Sequence, residues 1–226
     1  MEKTAPKPRR GQGLDLPQER FADFRKRYRE SIDTPNVKPP MQFLLCPVGI
    51  VGAGKTTVVK PLAEKLSMVR ISGDEIRRLL KENGFNYNQI RSISLPLIEE
   101  FIEQGYSVVI DSDCASSQTR EKIIELEKKY DIQAVWIHIN PPEEFIINKL
   151  KNFKHTWLFD SADEAIENYY SRKPLHENLR LPFMCEIDTS RQDLKDQVND
   201  CRKKIEKFLH LYKHRPPEQK RSVRAG

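Results

Sequence analysis

The chain has 226 residues, 38% hydrophobic and 32% charged, which suits one α/β domain with a core beneath a densely charged surface. It has no apolar run near the roughly 20 residues that span a bilayer, its opening MEKTAPKPRRGQG lacks the apolar stretch of a secretory signal, and its four scattered cysteines form no CxxC pair. These features argue against a membrane protein and a zinc site, and they suit reduced thiols in the cytoplasm.

The net charge of +6 is carried by the ends. Residues 1–40 hold ten Lys/Arg against six Asp/Glu, and 214–226 hold four against one, so 41–213 stays within one charge of neutral. Residues 1–13 and 214–226 read as disordered basic tails. Solvated chain is the commoner reading of such ends, and nucleic acid is a candidate partner for them. Residues 14–40 read as an amphipathic helix and linker. Phe21, Phe24, Tyr28 and Ile32 share one helical face, and Asn36 to Pro40 break the pattern. That face either docks on the main domain or serves a partner.

From 41 to 213 short apolar runs alternate with helical periodicity. Strands are expected over 41–48, 68–72, 107–111, 133–139 and 183–188. Helices are expected over 55–66, 74–81, 87–104, 117–130, 142–151 and 162–171, with 152–159 irregular. From Ser190, a long closing helix carries Leu194, Val198, Cys201, Ile205, Phe208 and Tyr212 along one line. Such alternation predicts an α/β fold with a five-stranded, mainly parallel sheet covered by helices on both faces.

After the first strand stands GIVGAGKTT, Gly49 to Thr57, a full G-x-x-x-x-G-K-[ST] motif in a strand–loop–helix setting. Gly49, Gly52, Ala53 and Gly54 form the curl whose N–H groups turn toward phosphate, and the helix start adds its positive dipole end. Lys55 is assigned to the β- and γ-phosphates of ATP, Thr56 to Mg²⁺, and Thr57 to the α-phosphate. The third strand, Val108 to Asp111, ends in a carboxylate where ligands bind in parallel sheets. Asp111 is either near the Mg²⁺ or the opening of a turn.

In Ser72-Gly73-Asp74-Glu75, Ser72 and Glu75 have the spacing of a capping box. Ile76, Leu79 and Leu80 form the buried face of the helix that follows. Asp74 lies nearly opposite, with Arg77, Arg78 and Lys81, at a strand end. It is therefore a candidate base for an acceptor hydroxyl.

Over 41–188 the chain resembles the P-loop kinases that group polynucleotide 5′-hydroxyl kinases with zeta toxins. The resemblance rests on the P-loop, on Asp74 followed by Arg77, on Val108–Ser112 followed by Arg120, and on EIDTS at 186–190. It implies a three-layer P-loop NTPase sandwich with a short lid and MgATP as cofactor. It gives Asp74 the role of accepting the substrate hydroxyl's proton, and it gives Arg77 that of holding a substrate phosphate. The chain departs from that family in Ser112-Asp113-Cys114. It also departs in the lid stretch NKLKNFKHTW, which offers Lys149, Lys151 and Lys154 but no Arg. Lysine supplies charge without the guanidinium fork. Arg120 or Arg172 is the expected substitute, and His155 and His176 read as surface residues.

The expected activity is transfer of the ATP γ-phosphate to a hydroxyl on a nucleic-acid 5′-end, a nucleotide sugar or a small metabolite. Acceptor contacts are expected from 83–94 and the lid. The alternatives are an ATP-binding interaction protein and a switch ATPase.

Overall fold

The computed structural model describes residues 13–152, 158–159 and 161–213. A single 3-10 turn at Gln18–Arg20 leads into helix α1 (Phe21–Glu30). Strand β1 (Phe43–Val48) is followed by α2 (Lys55–Lys65), β2 (Val69–Ser72) and α3 (Gly73–Glu82). A 3-10 turn at Tyr87–Ile90 precedes α4 (Arg91–Glu103), and then come β3 (Val108–Asp111), α5 (Ser117–Tyr130) and β4 (Gln133–Ile139). The chain continues through α6 (Glu143–Lys151), α7 (Ala162–Glu177), β5 (Phe183–Ile187) and α8 (Leu194–Lys213). The tails fall outside the described residues, apart from Gly13. So do residues 153–157, the second half of the lid stretch, with Lys154 and His155.

The strands form one sheet in the order β2-β3-β1-β4-β5, and every pairing is parallel. Successive side chains point to opposite faces, so each strand feeds two cores. Leu44, Cys46 and Val48 of β1 pack on one face with Val69, Ile71, Phe24, Leu97 and Ile123. Phe43 and Leu45 pack on the other with Val58, Leu62, Ile137, Val198 and Ile205. Helices α1, α3, α4 and α5 cover the first face, and α2, α6, α7 and α8 the second. This is the three-layer arrangement of a P-loop NTPase.

Pro47 sits in the central strand, where a missing N–H would ordinarily break the ladder. The β1–β3 register ends at Leu45 and Val109. Beyond it, Pro47 O accepts from Cys114 N at 3.0 Å, so the absent donor faces a stretch already out of the ladder.

Helix α1 docks on its own domain. Phe24 is 0% exposed and Tyr28 3%, while Arg29 donates to Glu100 at 3.0 Å and lies 4.2 Å from the Phe101 ring centroid. The apolar face is consumed internally and is not open to a partner. Helix α7 runs on to Glu177 rather than stopping near 171, with Pro174 inside it. Proline usually ends a helical pattern, which is why the sequence reading stopped short.

Candidate active site

The turn between β1 and α2 is built by glycine geometry. Gly52 and Gly54 have φ of 83° and 89°, values that cost an L side chain roughly 1–2 kcal/mol. Gly49 is needed for room, since a Cβ there would stand 2.8 Å from the Ile139 carbonyl oxygen on β4. No side chain caps α2, so its first N–H groups and its dipole face the loop. Lys55 Nζ donates to Gly49 O at 2.7 Å and Ile50 O at 3.1 Å. Thr189 Oγ1 donates to Ala53 O at 2.7 Å, which ties the turn after β5 to the loop. An uncapped helix start with a lysine folded onto the preceding loop fits a phosphate chain in charge and shape.

Asp111 ends β3 and is 4% exposed. Thr56 Oγ1 donates to its Oδ1 at 3.3 Å, and Arg70 Nη1 to its Oδ2 at 2.5 Å. Burial pushes the Asp111 carboxyl up; Arg70 and Thr56 offset part of that rise, and the charge of Asp74 adds to it. Hydroxyl and carboxylate oxygens converging at the first turn of α2 are the hard donors that Mg²⁺ prefers, so these residues fit that cation.

Asp113 supports the loop from below. Its Oδ1 accepts from Gly49 N–H at 3.4 Å and Ala115 N–H at 3.3 Å, and its Oδ2 meets His176 Nε2 at 3.1 Å. Burial alone would raise its carboxyl, but the His176 hydrogen bond and the charge of Lys55 hold it below the usual range. His176, expected on the surface, has a side chain only 11% exposed. The extra turns of α7 carry it inward.

At α3, Ser72 Oγ accepts from Glu75 N–H at 3.3 Å, as a capping residue should. The reciprocal half of the box differs from expectation. Ser72 N–H donates to the Tyr28 hydroxyl at 2.8 Å, and the Glu75 carboxylate reaches Arg70 and Tyr28 instead. An intruding α1 has taken the donor that Glu75 was to satisfy. Asp74 is 56% exposed along its side chain, and Arg77 Nη1 donates to its Oδ1 at 2.7 Å.

A cleft of about 390 Å³ brings Lys55, Thr56, Asp74, Arg77 and Asp111 together. Arg91, Lys122 and Arg172 line it as well. Arg91 is braced by Gln118 and by Thr119 Oγ1 at 3.1 Å. Sequence reasoning did not name it, although it lies within the expected acceptor region 83–94. Arg70 also went unnamed. Its signal was a charged residue inside an apolar strand, which demands a buried partner.

Of the two arginines expected to replace lid arginines, Arg172 reaches the cleft and Arg120 does not. The stripe of α5 that faces the cleft runs through Ser116, Thr119 and Ile123. Arg120 lies about 100° around the helix from Thr119, and its Nε is buried without a hydrogen bond among the described residues. Lys149 and Lys151 are exposed and do not line the cleft. Thr57 donates its N–H to Gly54 O at 3.1 Å. Among the described residues no group of His, Cys, Asp and Glu is arranged to chelate a metal by itself, and no helix is long and apolar enough to cross a membrane.

Comparison with known proteins agrees with this architecture. The family model described as an AAA domain matches residues 44–164. A shikimate kinase of Dehalococcoides mccartyi is 23% identical over 171 residues, which cover 70% of this chain and 93% of that one. Among solved structures, a chain of the PezAT chromosomal toxin–antitoxin system of Streptococcus pneumoniae superimposes with a TM-score of 0.56 at 14% identity, covering 87% of this chain and 99% of that one. A sugar kinase from a Janibacter species gives a TM-score of 0.50 at 14% identity, covering 74% and 95%. The two structural likenesses establish a shared fold.

Proposed function

This chain belongs to that AAA-domain family, and from that premise we propose that it is an ATP-dependent phosphotransferase acting on a hydroxyl of a small, anionic acceptor. One observation carries the reading: a single cleft holds the P-loop Lys55 and Thr56 together with a solvent-reachable carboxylate, Asp74, just past the C-terminal end of β2, on the same edge of the parallel sheet. The similarity to a shikimate kinase supports a small-molecule acceptor.

In this reading Lys55 exchanges its two loop carbonyls for β- and γ-phosphate oxygens, and the uncapped start of α2 at Lys55 and Thr56 holds the phosphate chain. Mg²⁺, when bound at Thr56 and Asp111, supplies neutralisation of phosphate charge. Asp74 orients the acceptor hydroxyl and takes its proton, and Arg77, which donates to Asp74 Oδ1, holds that carboxylate in place. Arg91 and Lys122 hold the acceptor's own anionic group, because a braced guanidinium suits carboxylate or phosphate. Arg172, which lines the cleft, neutralises charge on the moving phosphoryl group. Positioning and electrostatics carry most of the rate in such transfers. The four thiols are free and buried, which supports a reducing, cytoplasmic setting.

The test is transfer of label from γ-labelled ATP to separate pools of phosphorylated or carboxylated alcohols, nucleotide sugars and RNA 5′-hydroxyl ends. Label should enter a member of an anionic small-molecule pool. Transfer to RNA ends alone would move the acceptor class to nucleic acid. ATP binding without transfer to any pool would favour a switch or interaction protein.

A further inference from the structure

The carboxylate on the cation's side of the cleft already has a counter-ion. Arg70 stands in the middle of β2, between Val69 and Ile71, which face the opposite core. Its side chain therefore shares a face with Asp111 on the neighbouring strand. One of its nitrogens donates to Asp111 Oδ2 at 2.5 Å, and the other pairs with Glu75. Glu75 Oε2 in turn lies 3.3 Å from the Tyr28 hydroxyl, whose one proton it shares with the Ser72 carbonyl oxygen at 3.4 Å. Thr56 completes the line at Asp111 Oδ1. A continuous run, Tyr28–Glu75–Arg70–Asp111–Thr56, thus joins the N-terminal helix to the first turn after the P-loop. A cavity of about 910 Å³ beside α1 has Tyr28, Arg70 and Glu75 on its wall, so the run is reachable from outside the active cleft.

A guanidinium shared between two carboxylates sets a competition. A divalent cation arriving at Asp111 meets a positive charge bonded to the same group, and like charges repel strongly away from bulk water. The more firmly Glu75 holds Arg70, the less of that charge falls on Asp111. Tyr28 bears on how firmly Glu75 is held.

We propose that Arg70 is a positioning residue that sets how tightly the P-loop takes up its divalent cation, and that Glu75 and Tyr28 of α1 tune it. The proposal rests on the reading of Thr56 and Asp111 as the cation's side of a nucleotide site. It does not require an acceptor.

The experiment is Mn²⁺ titration of the full chain with a non-hydrolysable ATP analogue at pH 8, read by water-proton relaxation, with no turnover involved. Arg70→Gln should tighten Mn²⁺ uptake by about tenfold, because a repelling charge is gone. Glu75→Gln should loosen it by about threefold, because all of Arg70 then falls on Asp111. Tyr28→Phe keeps the buried ring and should loosen it by about twofold, the smaller step expected of a more distant partner. In the Arg70→Gln background Glu75→Gln should have no further effect, which is the signature of coupling through one residue.

A merely structural Arg70 would make Arg70→Gln and Glu75→Gln loosen uptake together, and that result overturns the proposal. Unchanged uptake in Glu75→Gln overturns it as well, and this half-exposed site keeps the test available should Arg70→Gln unfold. Wild type that binds the analogue and Mn²⁺ with unresponsive variants sinks this inference alone. Wild type that takes up neither sinks the nucleotide reading with it.

Discussion

Replacing Asp74 by Asn separates a structural carboxylate from a catalytic one. The structural contribution of Asp74 is bounded by what it touches. Its ion pair with Arg77 is an exposed i,i+3 contact, a type that contributes about 0.2–0.5 kcal/mol. Its place in the first turn of α3 adds about 0.3–1 kcal/mol through the helix dipole. Together these give about 0.5–1.5 kcal/mol, or a fall in Tm of about 1–6 °C for a chain of this length. A domain with about 5–15 kcal/mol of stability stays almost wholly folded after such a loss. Removal of a general base lowers turnover by about 10²–10⁴-fold, far more than the folded population would change. The assay pairs a thermal melt with initial rates of label transfer from γ-labelled ATP at 25 °C. A melt shifted by a few degrees with a rate lowered at least a hundredfold is the expected pair. A rate within about threefold of wild type would show that Asp74 takes no proton, because losing a working base costs at least a hundredfold.

Gly54→Ala should abolish nucleotide binding in a fluorescence titration and lower Tm, since φ is 89° and the new Cβ would sit 3.2 Å from Thr189, itself bonded to Ala53 O. Unaltered binding would mean that the loop does not need this geometry. Arg120→Met should leave transfer unchanged and hold or raise Tm, because Arg120 is not among the residues lining the cleft and its buried Nε has no hydrogen bond among the described residues; a large rate loss would place Arg120 in the site. His138 is stacked on Phe183 with ring centroids 4.6 Å apart, and burial lowers its pKa below 6.5 despite Glu186 nearby. The unfolded chain then binds the proton more tightly, so this stabilisation is present above pH 6.5 and is lost as the pH falls toward the folded value. His138→Gln should flatten the acid side of a Tm-against-pH curve below pH 6.5, and an unchanged slope would assign that loss to other groups.

Features governed by near neighbours in the chain were legible in the sequence. The strand and helix alternation followed from periods of 2 and 3.6, and α5 and β4 lie at the positions that periodicity gave them. The P-loop was equally plain, because glycine spacing dictates backbone shape without help from the rest of the chain. Ser72 was correctly placed at the head of α3 for the same reason.

The tertiary structure decided who meets whom across strands and helices. Arg70 and Asp111 face each other because β2 pairs with β3 in a register that period-2 patterning leaves open. Tyr28 displaced Glu75 from its expected cap because α1 docks at the edge strand. His176 meets Asp113 through helix length, and helix rotation keeps Arg120 off the residues that line the cleft. Local sequence fixes dihedral angles, but the side of a helix or strand that confronts a ligand is set by contacts made tens of residues away. The sequence by itself therefore determined a phosphate-binding loop within an α/β sheet. Only the folded chain decided which charges surround it.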